Sequence, residues 1–174
     1  MATLAHRPRR AAWWLPRWPR CWLRLMVAAI LAWPPLASAL PPARDLAADA
    51  RQMREMKLPM LVLYSRAGCD WCERARRQFL DPLVADPATA GRMLIRQIDI
   101  DRRTAIADFS GNATSHQEFA RGRNIRLTPT IEVLGPDGEP LTEAIVGVRL
   151  PDFYGTYIER AIDAGLGRLR EKTP

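Results

Sequence analysis

The stretch Leu61-Val62-Leu63-Tyr64-Ser65-Arg66-Ala67-Gly68-Cys69-Asp70-Trp71-Cys72-Glu73 decides how this chain reads. Met60 to Tyr64 form a short continuous apolar run, which suits a strand buried on both faces. Ser65 to Gly68 break it as a turn, and two cysteines three positions apart then open a helix. That helix would set Cys72, Ala75, Phe79, Leu80 and Leu83 on one side, with Glu73, Arg74, Arg76 and Arg77 mostly on the other. Pro82 should kink it or end it. At a helix N-terminus the unpaired N–H groups and the dipole favour a thiolate on the first cysteine. The second lies within reach but faces inward, so one sulfur can attack and the other resolve.

Working outward, Leu46, Ala47, Ala50, Met53 and Met56 recur at helical spacing before the strand, and Lys57-Leu58-Pro59 stops that helix. Leu40 to Arg44 read as a flexible lead-in, with almost no room for a further strand before Asp45. Met93 to Ile100 read as a second strand, and parallel pairing with the first would close one crossover unit. The polar stretch 101–114 has the least pattern. A short helix follows around His116 to Arg123, then Thr130 to Leu134 alternate like a half-buried strand. Gly135-Pro136-Asp137-Gly138 is a turn from which Leu141 to Val148 return as a hairpin partner. Pro151 suits the first turn of a last helix, with Phe153, Tyr154, Tyr157, Ile158, Ala161 and Ile162 as its buried face. The order is helix, strand, helix, strand, helix, hairpin, helix, an α/β domain with a mixed, mostly four-stranded sheet flanked by helices.

Residues 1–39 differ from the rest. They hold six arginines (Arg7, Arg9, Arg10, Arg17, Arg20, Arg24) and no acidic residue, then an apolar run from Leu25 to Trp33 and the triplet Ala37-Ser38-Ala39. A basic start, a short apolar middle and an A-x-A site make a secretory signal cleaved after about Ala39. The apolar run reaches only ~14 Å as a helix, short of a bilayer core. Arg9-Arg10 raises a twin-arginine route, although the Ala-Ala-Trp-Trp that follows departs from that signal. Removing the segment takes the net charge from +7 to +1, with 20 basic against 19 acidic residues in a soluble domain of residues 40–174. The high pI thus belongs mainly to the leader, and the interspersed charges left behind give no basic stripe for nucleic acid.

Cys21 leaves with the leader, so the remaining domain keeps Cys69 and Cys72 alone. A pair so close closes too small a loop to act as a staple, and a domain of this length buries an adequate core without one. Chemistry is the better reason for it. A zinc site needs about four ligands, and two cysteines with His116 as the single histidine do not supply them, so no metal is expected. Copper binding helped by Met53, Met56 and Met60 is a second alternative, but those methionines are explained more simply as core filler. An inert buried disulfide is the third, opposed by the accessibility of a strand-to-helix edge.

The quoted stretch resembles the active-site strand, turn and helix of thioredoxin-like proteins. A second match runs through Asn124-Ile125-Arg126-Leu127-Thr128-Pro129-Thr130-Ile131 with its following turn, and a third is Val146-Gly147-Val148. Together they cover about residues 45 to 165. The resemblance implies a thioredoxin-like fold with Cys69 and Cys72 as the catalytic pair and no cofactor beyond their redox-active disulfide. It also implies a cis Pro129 beside that disulfide, with the Thr128 backbone free to pair with an extended substrate. Residue type alone would favour trans at Pro129. Trp71 is expected at the substrate-facing surface. The chain departs from thioredoxin at Leu63, where a buried acid would stand, so protons must be handled otherwise, through water or Glu73. Asp70-Trp71 replace Gly-Pro between the cysteines. Asp70 opposes a thiolate at Cys69, and Arg66 or Arg74 can offset it.

These features are expected in an exported, periplasmic thiol–disulfide oxidoreductase similar to the small thioredoxins of the SoxW kind. Such a protein would act on protein dithiols and disulfides and be recharged by a membrane redox partner. A disulfide-donating oxidase, or a copper-binding or assembly module on the same scaffold, are the alternatives.

Overall fold

The structure is a computed structural model that describes residues 40–172, so the leader expected at 1–39 lies outside the described residues. Asp45 caps the first helix, α1 (Leu46–Met56), its carboxylate accepting the Ala48 N–H at 2.8 Å. A cap of this kind contributes about 1 kcal/mol. Lys57 ends the helix in the left-handed conformation and turns the chain into β1 (Met60–Ser65). The cysteine-bearing segment runs α2 (Asp70–Ala75), a π-helical turn over Arg76–Leu80, and α3 (Asp81–Ala85), followed by the short α4 (Pro87–Ala90). Pro82 does not end the helix, which continues to Ala85; the irregular π turn stands immediately before α3.

β2 (Leu94–Asp99) pairs parallel with β1 in register from Met60↔Leu94 to Ser65↔Asp99. β5 (Thr130–Leu134) lies antiparallel on the other side of β1, and β6 (Ile145–Val146) antiparallel on β5, giving the order β2-β1-β5-β6. This is the thioredoxin-like α/β arrangement, a mixed four-stranded sheet flanked by helices. Side chains alternate along β1. Leu61 and Leu63 enter a cluster with Ala75 and Leu80 and with Tyr154, Ile158 and Ile162 of the last helix, α6 (Tyr154–Lys172). Met60, Val62 and Tyr64 face the opposite way, toward Leu46 and Met53 of α1 and Ala120 of α5 (His116–Gly122).

Several expectations change. Leu40 to Arg44 are docked, not loose: the Ala43 N–H donates to the Gln97 carbonyl and the Gln97 N–H to the Pro41 carbonyl, both at 2.9 Å, with Leu40 and Ala43 buried. The buried His116 holds this lead-in, its Nδ1 accepting the Asp99 N–H and its Nε2 facing the Ala43 carbonyl, each at 2.9 Å. The polar stretch after Asp101 contains a small antiparallel pair, β3 (Ala105–Ala107) and β4 (Ala113–Ser115). β5 is buried along its whole length, because Glu132, which reads as outward-facing, is enclosed with partners of its own. The hairpin partner shrinks from Leu141–Val148 to two residues. Pro151 opens a 3-10 turn (Pro151–Phe153), and the buried face of α6 is Tyr154, Ile158, Ile162 and Leu169, with Phe153 and Tyr157 exposed. Met56 is exposed at the end of α1.

Candidate active site

β1 ends at Ser65, and the turn that follows is fixed by the Ala67 N–H donating to the Asp101 carboxylate at 3.0 Å. Gly68 has φ +67°, a backbone state that a side chain would strain. The chain thereby swings Cys69 into the N-cap position of α2, in extended conformation. Its sulfur takes the place of a capping oxygen and accepts the Cys72 N–H at 3.2 Å. Its carbonyl takes the N–H groups of Cys72 and Glu73, each at 3.0 Å.

Cys69 and Cys72 form a disulfide, with Cα atoms 5.2 Å apart. The two sulfurs differ in access: Cys69 is half-buried, whereas Cys72 is 2 % exposed. That asymmetry suits an attacking and a resolving partner. Trp71 is 48 % exposed between them, and the Arg74 guanidinium lies 4.8 Å over its ring. Arg74 thus stacks on Trp71, a contact of about 0.5–1 kcal/mol at an exposed site.

From the other side of the sheet's end comes the segment before β5. The Thr128–Pro129 peptide bond is cis, Pro129 is buried, and the Thr128 Oγ1 lies 3.6 Å from the Cys69 sulfur. The Thr130 hydroxyl ties this segment down by donating to the Leu127 carbonyl at 2.8 Å, and the Gly147 N–H donates to the Pro129 carbonyl at 2.8 Å. Among the described residues the backbone N–H and C=O of Thr128 have no backbone partner. Cys69, Cys72, Trp71, Thr128 and Pro129 therefore all lie where β1, α2 and the start of β5 carry them, at one end of the sheet.

Glu73 is a poor candidate for moving protons. It accepts from Arg76 at 2.6 Å and stands 3.3 Å from Arg77, and the Arg76 hydrogen bond holds its carboxyl below the usual carboxylate range. Leu63 is fully buried among aliphatic side chains. Met53 and Met60 are enclosed on the α1 side of the sheet, as core residues.

Two features had little or no signal in the sequence. Asp101 lies in the unpatterned polar stretch yet fixes the turn before Cys69. Behind the sheet, the half-buried Arg123 closes over the buried Glu132 and Tyr64 to form a triad. The Arg123 Nε lies 2.7 Å from Glu132 Oε2, the Tyr64 hydroxyl donates to the same oxygen at 2.7 Å, and a further Arg123 N–H reaches the Gly138 carbonyl at 2.8 Å. Burial first, then the Glu132 charge, pushes the Tyr64 hydroxyl well above its ordinary range. A lone glutamate inside an apolar strand was the available hint.

A strand, a turn, a disulfide-capped helix and an opposing X-Pro segment define the class: a thioredoxin fold carrying a Cys-x-x-Cys pair. A family model described as "Thioredoxin-like domain" matches residues 46–161, and the chain belongs to that family. Among solved structures it is similar to "DsbH Oxidoreductase", at 15% identity over 75% of this chain and 90% of that one, with TM-score 0.49. It is also similar to the reduced thioredoxin pre-protein of Schistosoma mansoni, at 17% identity over 72% and 96%, with TM-score 0.47. A poplar thioredoxin h matches at 15% identity over 68% and 95%, with TM-score 0.46. A search of the curated proteins finds no match. The family and the Cys69–Cys72 disulfide together support thiol–disulfide exchange as the general activity.

Proposed function

We propose that this protein is an exported thiol–disulfide oxidoreductase of the periplasm, acting on protein substrates in the reductive direction. The observation that carries the reading is the disulfide at the strand-to-helix junction, with one sulfur partly open and the other enclosed. The arginine-rich, acid-free segment before residue 40 supports export.

In the reduced protein, the Cys69 thiolate attacks one sulfur of a substrate disulfide. The substrate S–S bond breaks, its leaving thiolate takes a proton, and a mixed disulfide joins Cys69 to the substrate. Cys72 then gives up its proton and attacks the Cys69 sulfur. The mixed disulfide breaks, and the second substrate thiol leaves. Two electrons have passed from the protein's dithiol to the substrate, and the Cys69–Cys72 disulfide is the state left behind. A membrane-bound dithiol donor would restore the reduced pair. Trp71 and the Thr128–Pro129 edge form the surface the substrate meets, with the Thr128 backbone offering a strand-like pairing.

The experiment is disulfide reduction on insulin with the reduced chain. Cys69→Ser should abolish it, and Cys72→Ser should accumulate substrate-linked mixed disulfides. Retained activity in Cys69→Ser would overturn the mechanism.

A further inference from the structure

Beyond β5, the sheet ends at the edge strand β6. β6 is the outermost strand in the order, and its register pairs Thr130 with Val146. The bond from the Gly147 N–H to the Pro129 carbonyl makes Thr130 and Val146 the non-bonded pair of the antiparallel ladder. The N–H and C=O of Val146 therefore point away from β5, toward the open edge. Exposed backbone groups of this kind are a template for another strand.

Between this edge and α6 lies a groove of about 460 Å³. Tyr157 gives it exposed apolar surface, whereas Val146, which pairs with Thr130 and alternates with the α6-facing Ile145, turns its exposed side chain to the opposite face of the sheet. Arg149 and Arg160 add two cations that have no ion pair among the described residues, against the single acid Glu143.

We propose that this groove docks an extended polypeptide segment of alternating acidic and apolar residues, which adds to β6 as a further strand. Main-chain pairing with Val146 sets the register, as in other strand additions. Alternate residues of the added strand point to opposite faces, so its carboxylates meet Arg149 and Arg160 on the α6 side and its apolar side chains rest beside Val146 on the other. The arginine-rich residues 1–39, which hold no acid, have the wrong charge to be that segment. The site uses no sulfur, so its occupancy is separable from thiol exchange.

The test uses the full ¹⁵N-labelled chain with Cys69→Ser and Cys72→Ser, so that no disulfide chemistry contributes. It is titrated with an end-capped hexapeptide of alternating glutamate and valine, and with the same peptide carrying lysine for glutamate. The expected result is saturable movement of the Val146 amide signal with the glutamate peptide alone. Val146→Pro, which removes only the outward donor and leaves the β5 ladder intact, should weaken binding about tenfold. The double reversal Arg149→Glu and Arg160→Glu should switch the preference to the lysine peptide. The proposal is overturned by an unmoved Val146 signal, by equal response to both peptides, by an unchanged preference after charge reversal, or by self-association that buries the edge in a second copy.

Discussion

The Thr128 hydroxyl oxygen stands 3.6 Å from the Cys69 sulfur, and it reaches that sulfur from the segment before β5, whereas Cys69 caps the helix that follows β1. Together with the Cys72 N–H at 3.2 Å, it makes two donors aimed at one sulfur. When the disulfide opens, both stand ready to stabilise a thiolate there. Hydrogen bonds to a charged acceptor are worth more than those to a neutral one.

Thr128→Val keeps the branched shape and removes the hydroxyl. It should disfavour the Cys69 thiolate and slow its alkylation near neutral pH about fivefold, the scale of one lost hydrogen bond to a charged acceptor. Iodoacetamide alkylation of the reduced protein as a function of pH measures this. An unchanged rate would show that the hydroxyl does not act on the sulfur.

Glu73 should contribute little to the exchange reaction. Its carboxylate is bound to Arg76 and lies largely open to water, with its pKa lowered first by the Arg76 hydrogen bond. Exposed ion pairs are worth at most about 1 kcal/mol, so Glu73→Gln should change the insulin-reduction rate by less than about fivefold. A larger loss would return Glu73 to the proton path.

The Arg123–Glu132–Tyr64 triad is a largely enclosed polar network, and removing its cation leaves a carboxylate without its counter-charge. Arg123→Met should destabilise the fold by about 3–5 kcal/mol, whereas Tyr64→Phe should lose about 1 kcal/mol. Urea unfolding of both variants checks the order. Equal losses would mean that the charge on Glu132 is satisfied in another way.

Alkaline pH should weaken the fold through its buried phenols. Burial pushes the Tyr154 hydroxyl up to about 12 from its ordinary 10.0. Below pH 10 both states hold the proton and the stabilisation is complete. Above it the unfolded chain releases a proton that the folded chain keeps, so stability falls until about pH 12, by at most on the order of 3 kcal/mol. Tyr64, raised by its burial, acts in the same direction. Tyr154→Phe should make the alkaline fall shallower and add about 1 kcal/mol at neutral pH by removing an unpaired hydroxyl. Thermal melts between pH 7 and 11 measure both effects.

What the residues alone disclosed follows the strength of their local patterns. Met60 to Tyr64 and the cysteines after Gly68 were legible because a continuous apolar run, a turn and a helix start each carry a separate signal. The β3–β4 pair was not, because its strands have three residues each and bury little beyond Ile106. Leu40 to Arg44 looked loose because two prolines conceal a docking that depends on β2 and His116. β5 looked half-buried because periodicity places Glu132 outward and cannot foresee Arg123 and Tyr64 closing around it. In the site, the cysteines were visible from their spacing. The Thr128 hydroxyl contact and the Asp101 brace were not, since both depend on segments distant in sequence meeting at one end of the sheet.

The central claim is that Cys69 and Cys72 form a reversible two-electron couple with reducing power. Its most direct test equilibrates the full chain in glutathione or dithiothreitol buffers of graded potential, traps free thiols with an alkylating agent, and weighs the peptide that carries both cysteines. The account predicts a single two-electron transition near about −270 mV, in the range of reductases. A transition near about −120 mV would reverse the proposed direction, and the absence of any reversible transition would contradict thiol–disulfide exchange itself.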